Sequence, residues 1–142
     1  MKHLNVLTAL LYLMTITTLS AQVEQANNWH FGNELSVSFV GGVPVLRPSS
    51  AMKAFEGITS MSDANSQLLF YTNGGGRPVD PGQPVGFVQN TGIIWNRNHE
   101  VMYNMRGEEG GGFSARQSSI AMPDPAGENG IYYLFTMEEA EF

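Results

Sequence analysis

Apolar residues in this chain come in short runs, each closed within a few positions by Gly, Pro, Asn, Asp or Ser. Leu35-Ser36-Val37-Ser38-Phe39 alternates with period two, which predicts a half-buried strand, because successive side chains on a strand point to opposite faces. Gly41-Gly42 then reads as a two-residue turn into Val43-Pro44-Val45-Leu46. Pro44 has no N–H to give to a ladder, so that strand belongs at a sheet edge. Residues 55–61 and 68–72 predict a second hairpin, ended by Asn73-Gly74-Gly75-Gly76. Ile93-Ile94-Trp95 and Val101-Met102-Tyr103 flank the polar turn 96–100 and predict a third. Residues 77–90, with Pro78, Pro81 and Pro84, and the glycine-rich stretch 107–112 read as loops. No window downstream of the N-terminal leader described below combines helical periodicity with caps. Short strands with regular turn punctuation indicate an all-β sandwich, barrel or propeller.

One strand-turn-strand pattern occurs twice, in residues 57–72 and again in residues 118–136. Met61 corresponds to Met122 and Asp63 to Asp124, and each copy closes an aromatic-aliphatic run with Thr (Thr72, Thr136). The second turn is the longer. Copies about sixty residues apart predict a repeated all-β unit, such as a propeller blade, rather than a single catalytic domain.

The N-terminus changes what counts as the folded chain. Lys2 and His3 precede an apolar run from Val6 to Leu19, and the small residues Ser20 and Ala21 follow, so residues 1–21 read as a secretory signal peptide cut after Ala21. The run is shorter than the roughly 20 residues of a membrane-spanning helix, which disfavours the competing reading of an uncleaved anchor. Residues 22–142 then form one small domain. On this reading the membrane is met only through the signal peptide during export.

The formal net charge is −6, and the leader carries Lys2 but no carboxylate. Arg47, Arg77, Arg97, Arg106 and Arg116 are scattered and form no basic stripe, which argues against a nucleic-acid partner. There is no cysteine, which excludes a disulfide framework, thiolate catalysis, thiolate metal sites and a lipoprotein anchor. No cofactor motif is present.

From Asn28-Trp29-His30-Phe31-Gly32 onward the chain resembles the N-terminal region of large secreted Bacteroidetes proteins. Many of these carry a C-terminal gliding-motility-associated (type IX secretion) sorting domain. The matching segments run, in order, from Asn28 to Gly32, from Ser60 to Gly74, from Ile94 to Met102 and from Gln117 to Thr136. His30 stands where Tyr is usual and Asn73 where Asp is usual, and residues 75–92 form a longer insertion. The resemblance implies the first blades of a β-propeller-like domain in an exported, non-enzymatic protein of the cell surface or medium. Adhesion or binding to an extracellular polymer or protein is the implied role. With no sorting domain in the sequence, a chain that truly stopped at Phe142 would remain periplasmic, and the strand-rich end suggests a fragment of a longer protein. Two alternatives stand beside this reading: a piece of a propeller-type polysaccharide-degrading enzyme, and a truncated product without function of its own.

Trp95-Asn96-Arg97-Asn98-His99 is the leading candidate ligand-contacting loop, with Trp95 stacking on a sugar and Arg97 or His99 hydrogen-bonding it. The competing reading makes it a hairpin turn, with Asn side chains bonding their own backbone and Trp95 in the core. Asp63-Ala64-Asn65-Ser66-Gln67 has oxygen ligands at alternate positions but no distal bidentate Glu, so a β-turn outweighs a calcium loop. The 107–112 loop fits no phosphate cradle, and its Glu108 and Glu109 are neighbours that rarely face each other across a sugar. Glu138, Glu139 and Glu141 carry the same objection. His30 and His99 are too few for a histidine-rich metal site. No catalytic or metal-binding residue is assigned.

Overall fold

The computed structural model describes residues 24–47, 49–54, 56–76, 92–105 and 117–137. The predicted signal peptide, the loops at 77–90 and 107–112, and Glu138, Glu139 and Glu141 lie outside the described residues. Within them the chain is all-β. Nine strands form three antiparallel sheets. The first holds β1 (Asn28–Phe31), β2 (Leu35–Ser38) and β3 (Val45–Arg47); the second holds β4 (Thr59–Ser62), β5 (Leu68–Thr72), β6 (Ile93–Asn96) and β7 (Val101–Asn104); the third holds β8 (Ser119–Pro123) and β9 (Tyr132–Thr136).

The period-two pattern of β2 is present, but the first sheet buries its polar face. Trp29, Val37 and Leu46 share one face by register, and His30, Ser36 and Arg47 share the other. His30, Ser36 and Ser38 are buried, whereas Trp29, Leu35 and Leu46 are exposed. The hairpin register is that of a turn centred on Gly41 and Gly42, both at positive φ (82° and 78°), as a tight hairpin turn requires. The strand itself starts later than the sequence suggested. Pro44 sits opposite Phe39 in that register and has no N–H to donate, so β3 begins at Val45 and forms the sheet's edge.

The second sheet is packed on both faces over β4, β5 and β6, while β7 is exposed. Ser60, Tyr71 and Trp95 align across β4, β5 and β6 and face the first sheet; Met61 and Phe70 align on the opposite face, where Phe70 meets Tyr132 edge-on at 6.0 Å. Segment 49–54 is drawn between the first two sheets. Glu34 N donates to Met52 O (2.8 Å), Ala54 N to Gly32 O (2.9 Å), and Ala51 N to the Tyr71 hydroxyl (2.9 Å). The core follows from this placement: Met52, Ala54, Tyr71 and Trp95 are buried together, with Ile58, Leu68 and Ile93 packed against them.

The first strands of the three sheets, β1, β4 and β8, lie side by side, but they are joined by side-chain hydroxyls rather than by a ladder. At the β1–β4 seam Asn28 Nδ2 donates to Ser62 Oγ (2.9 Å) and His30 N to Ser60 Oγ (3.2 Å). At the β4–β8 seam Thr59 Oγ1 donates to Ser119 O (2.8 Å), and the hydroxyls of Ser118 and Ser119 both donate to Gly57 O (3.0 and 2.8 Å). Directional bonds of this kind satisfy hydroxyls that would be costly to bury alone.

The repeat read from sequence has an atomic counterpart, and it occurs three times. Asp63 Oδ1 accepts from Asn65 N and Gln67 N (2.8 and 2.9 Å), Asp63 N donates to Gln67 O (2.9 Å), and Ser66 N donates to Asp63 O (3.0 Å). Asn96 reproduces every bond: Oδ1 accepts from Asn98 N and Glu100 N (2.8 and 3.1 Å), Asn96 N donates to Glu100 O (2.9 Å), and His99 N donates to Asn96 O (3.0 Å). In the longer third turn Gly127 N donates to Asp124 O (3.0 Å) and Glu128 N to Asp124 Oδ2 (3.1 Å). The residue three positions on is left-handed each time: Ser66 (φ 62°), His99 (φ 66°) and Gly127 (φ 80°). The ladder shifts register just before both short turns, at Met61/Ser62 and at Ile94/Trp95.

Candidate functional site

The side chains with the most chemistry gather between the first and second sheets. β1 carries His30 on its buried face, β5 carries Tyr71, and the β6–β7 turn carries His99. The rings of His30 and Tyr71 stack with centroids 4.0 Å apart and planes inclined by 11°. Tyr71 also stacks on Trp95 at 5.2 Å and 17°, and the His30 and His99 rings are 5.9 Å apart. The Tyr71 hydroxyl accepts from Ala51 N and bonds His99 Nδ1 at 2.9 Å, and His30 Nδ1 bonds Ser50 Oγ at 3.1 Å.

Burial sets the electrostatics of this cluster. The pKa of His30 is lowered from 6.5 to about 4, first because burial removes water from the imidazolium and second because His99 adds a like charge nearby. Burial likewise raises the pKa of the Tyr71 phenol, against the bonds from Ala51 and Ser50. At neutral pH both groups are uncharged, and the His30 and Tyr71 rings stack as a neutral pair.

A cavity of about 130 Å³ opens beside it, lined by Asn28, His30, Ser36, Val37, Arg47, Ser49, Leu68, Arg97 and His99. The left-handed backbone at His99 belongs to the Asn96 turn, and that turn brings Arg97 and His99 to the cavity. Of the three candidates in the Trp95-Asn96-Arg97-Asn98-His99 segment, Arg97 and His99 therefore line one cavity. Trp95 does not: it is 5% exposed and sits in the core against Tyr71. The segment is a hairpin turn and also presents two polar side chains. The arginines are scattered along the chain, yet Arg47 and Arg97 share this cavity despite their separation. Nothing local in the sequence marks Arg47, Ser49 or His30 as their neighbours, since only the packing of segment 49–54 and of β1 against β5 joins them.

A second, larger cleft of about 310 Å³ lies where the edge strands β1 and β4 run side by side, lined by Ala26, Trp29, His30, Phe31, Ile58, Thr59 and Ser60. Trp29 contributes exposed indole surface there. Its Nε1 donates to Ala26 O (2.7 Å), and its ring leans on Phe39 at 5.0 Å. Ser60 Oγ accepts from His30 N (3.2 Å) and keeps its own proton to donate. The sequence offered Asn28-Trp29-His30-Phe31-Gly32 only as a mark of resemblance; the structure makes it both a strand and a wall of two cavities.

Asp63, Asn65 and Gln67 do not converge on a cation site, because Asp63 Oδ1 is occupied by two backbone N–H groups of its own turn. Among the described residues, no three His, Asp or Glu side chains are grouped as metal ligands. No helix among the described residues is long and apolar enough to cross a membrane.

Comparison of the chain with protein-family models, with curated proteins and with solved structures finds no match.

Proposed function

We propose that this chain is the opening part of a β-propeller-type module in a secreted or cell-surface protein, and that the module binds an extracellular polysaccharide rather than transforming it. The observation that carries this reading is the cleft between β1 and β4, at the line where the first strands of all three sheets lie together. In a propeller that line is the central channel, toward which the first strand of every blade turns. The second sheet is a four-stranded antiparallel meander, as a blade is, with its fourth strand exposed. The flanking sheets each leave an outward apolar face uncovered: Leu35 and Leu46 on the first, with Trp29 at its margin open to the cleft, and Ile120, Met122, Tyr133 and Phe135 on the third. Further sheets stacked in the same sense would cover both. Trp29 stands where the first of these faces meets the cleft. The resemblance to secreted Bacteroidetes proteins points the same way and supplies the expectation of export.

An indole surface beside hydroxyl donors suits a sugar ring, which offers an apolar C–H face and a polar rim. The test is retention of the chain on an array of immobilised polysaccharides, with Trp29→Ala alongside. Retention of the parent on at least one polysaccharide and its loss in Trp29→Ala supports the reading. Indifference of both chains to every polysaccharide overturns it.

A further inference from the structure

The smaller cavity has a charge character that the chain as a whole does not. The protein is acidic, with formal net charge −6, yet no Asp or Glu lines this cavity and two Arg do. Among the described residues the permanent cations are Arg47, Lys53 and Arg97. Lys53 is paired with Glu34 at 3.3 Å, whereas neither guanidinium takes part in an ion pair with a described residue. A planar guanidinium carries five N–H donors in a fork that matches the paired oxygens of carboxylate, sulfate or phosphate. Two such forks at one opening concentrate positive potential against the acidic background.

The other lining groups are arranged as donors or are already satisfied. Ser36 Oγ donates to Arg47 O (3.0 Å), which holds the backbone of that arginine to β2. Asn28 Nδ2 is used on Ser62 Oγ and Ser66 O (2.9 and 2.7 Å), so it does not compete for the cavity. The Tyr71 hydroxyl accepts from Ala51 N and keeps its proton. The Tyr71 hydroxyl bonds His99 Nδ1 at 2.9 Å, which ties a residue lining the space to the second sheet. At about 130 Å³ the cavity is close to the roughly 150 Å³ that accommodates a benzene-sized molecule, enough for one anionic substituent and too small for a sugar chain.

We propose that this cavity binds a single oxyanionic group, a sulfate ester or a carboxylate borne by an acidic polysaccharide, through the guanidinium groups of Arg47 and Arg97. The carrier of the charge rests on the polysaccharide reading above; the anion site rests on the arginines alone.

Calorimetric titration of the full chain at constant ionic strength separates the two. The probes are inorganic sulfate, a sulfated oligosaccharide, a uronate oligosaccharide and an unsubstituted neutral oligosaccharide. The variants are Arg47→Gln, Arg97→Gln and, as a control cation away from the cavity, Lys53→Gln. Both arginines are exposed, so their replacement leaves the core intact. The expected result is a charged oligosaccharide bound about tenfold or more tightly than the neutral one, with that advantage lost in either arginine variant and kept in Lys53→Gln. Arginine-dependent binding of inorganic sulfate with no gain from the oligosaccharide overturns the saccharide carrier. Neutral oligosaccharide binding that ignores both arginines and depends on Trp29 overturns the anion site and leaves the polysaccharide reading standing. Failure of every probe, sulfate included, overturns both.

Discussion

The imidazole of His30 lies almost parallel to the phenol ring of Tyr71, with centroids 4.0 Å apart. This contact fastens the first sheet to the second, and the Tyr71 hydroxyl extends the hold to Ala51 and His99. Tyr71→Phe keeps the stack and removes the hydrogen bonds of the hydroxyl. It is expected to lower unfolding stability by about 1–2 kcal/mol. Tyr71→Ala, which also opens the core beside Met52 and Trp95, costs about 3–5 kcal/mol. Urea unfolding of the two variants measures both, and equal losses would refute the separate contribution of the hydroxyl.

The depressed pKa of His30 makes stability depend on pH. Unfolded, the imidazole takes a proton near pH 6.5; folded, it resists until about pH 4. Its contribution is therefore intact above pH 6.5 and is lost progressively as pH falls toward about 4. The change amounts to about 2 kcal/mol once partial solvation of the ring is allowed for. His99, Arg47 and Arg97 face the same cavity, and all three oppose a second positive charge there. Urea midpoints at several pH values check this, with His30→Phe, which retains a ring for the stack, expected to flatten the profile.

The equivalence of the first two turns predicts which replacements are silent. Asp63→Asn preserves the oxygen that accepts two backbone N–H groups and should change stability by less than about 0.5 kcal/mol. Asn96→Asp preserves it too but sets a carboxylate where Asn96 Nδ2 donates to Glu100 Oε2 (3.0 Å), and should cost about 0.5–1 kcal/mol. Asp63→Ala and Asn96→Ala each lose both bonds and should cost about 1–2 kcal/mol. Thermal melts of the four variants settle it, and a large effect of the Asp–Asn exchanges would contradict the equivalence.

Much of this was legible in the chain, and the failures have physical causes. Period two in Leu35-Ser36-Val37-Ser38 marks a strand, but alternation does not say which face goes inward. Here Ser36 goes inward with its hydroxyl bonded to backbone, Arg47 O at 3.0 Å and Ser49 O at 3.3 Å. Met61/Met122 and Asp63/Asp124 announced the repeat. The Asn96 turn was read as a hairpin turn but not as a copy of the repeat, because Asn in place of Asp and His99 in place of Ser66 or Gly127 hide the same hydrogen-bond pattern. Trp95, Arg97 and His99 were singled out together, yet Trp95 belongs to a strand and points into the core while the other two belong to the turn. The anion cavity was illegible, since Arg47 and Arg97 meet only after two sheets have packed.

Two glycines admit no side chain. A Cβ on Gly76 would lie 1.7 Å from Met105 O, and one on Gly92, at φ +79°, would lie 2.6 Å from Gly76 Cα. Backbones approach here because Met105 N donates to Gly92 O at 2.7 Å. Gly76→Ala and Gly92→Ala are each expected to cost at least about 2 kcal/mol, whereas Gly41→Ala, with open space around it, bears only the left-handed strain of about 1–2 kcal/mol. Denaturant titration of the three variants ranks them.

The outward face of the third sheet predicts self-association. Ile120, Met122, Tyr133 and Phe135 lie together and exposed, a patch of the kind that draws a partner or a second copy. Sedimentation velocity is expected to show the chain associating with concentration, and Tyr133→Lys with Phe135→Glu restoring the monomer. A monomeric parent at all concentrations would refute this.

Ser66, His99 and Gly127 occupy one geometrical slot in three hairpins. The turn asks that slot for a left-handed backbone and leaves its side chain to the surroundings: a hydroxymethyl group bonded to Asn27 and Glu24, an imidazole bonded to Tyr71 and a hydrogen atom all serve. A lineage carrying such turns can exchange the chemistry it displays one hairpin at a time, at a fixed and small conformational cost, while the scaffold stays the same. His99 is what that freedom looks like when the slot happens to open onto a cavity.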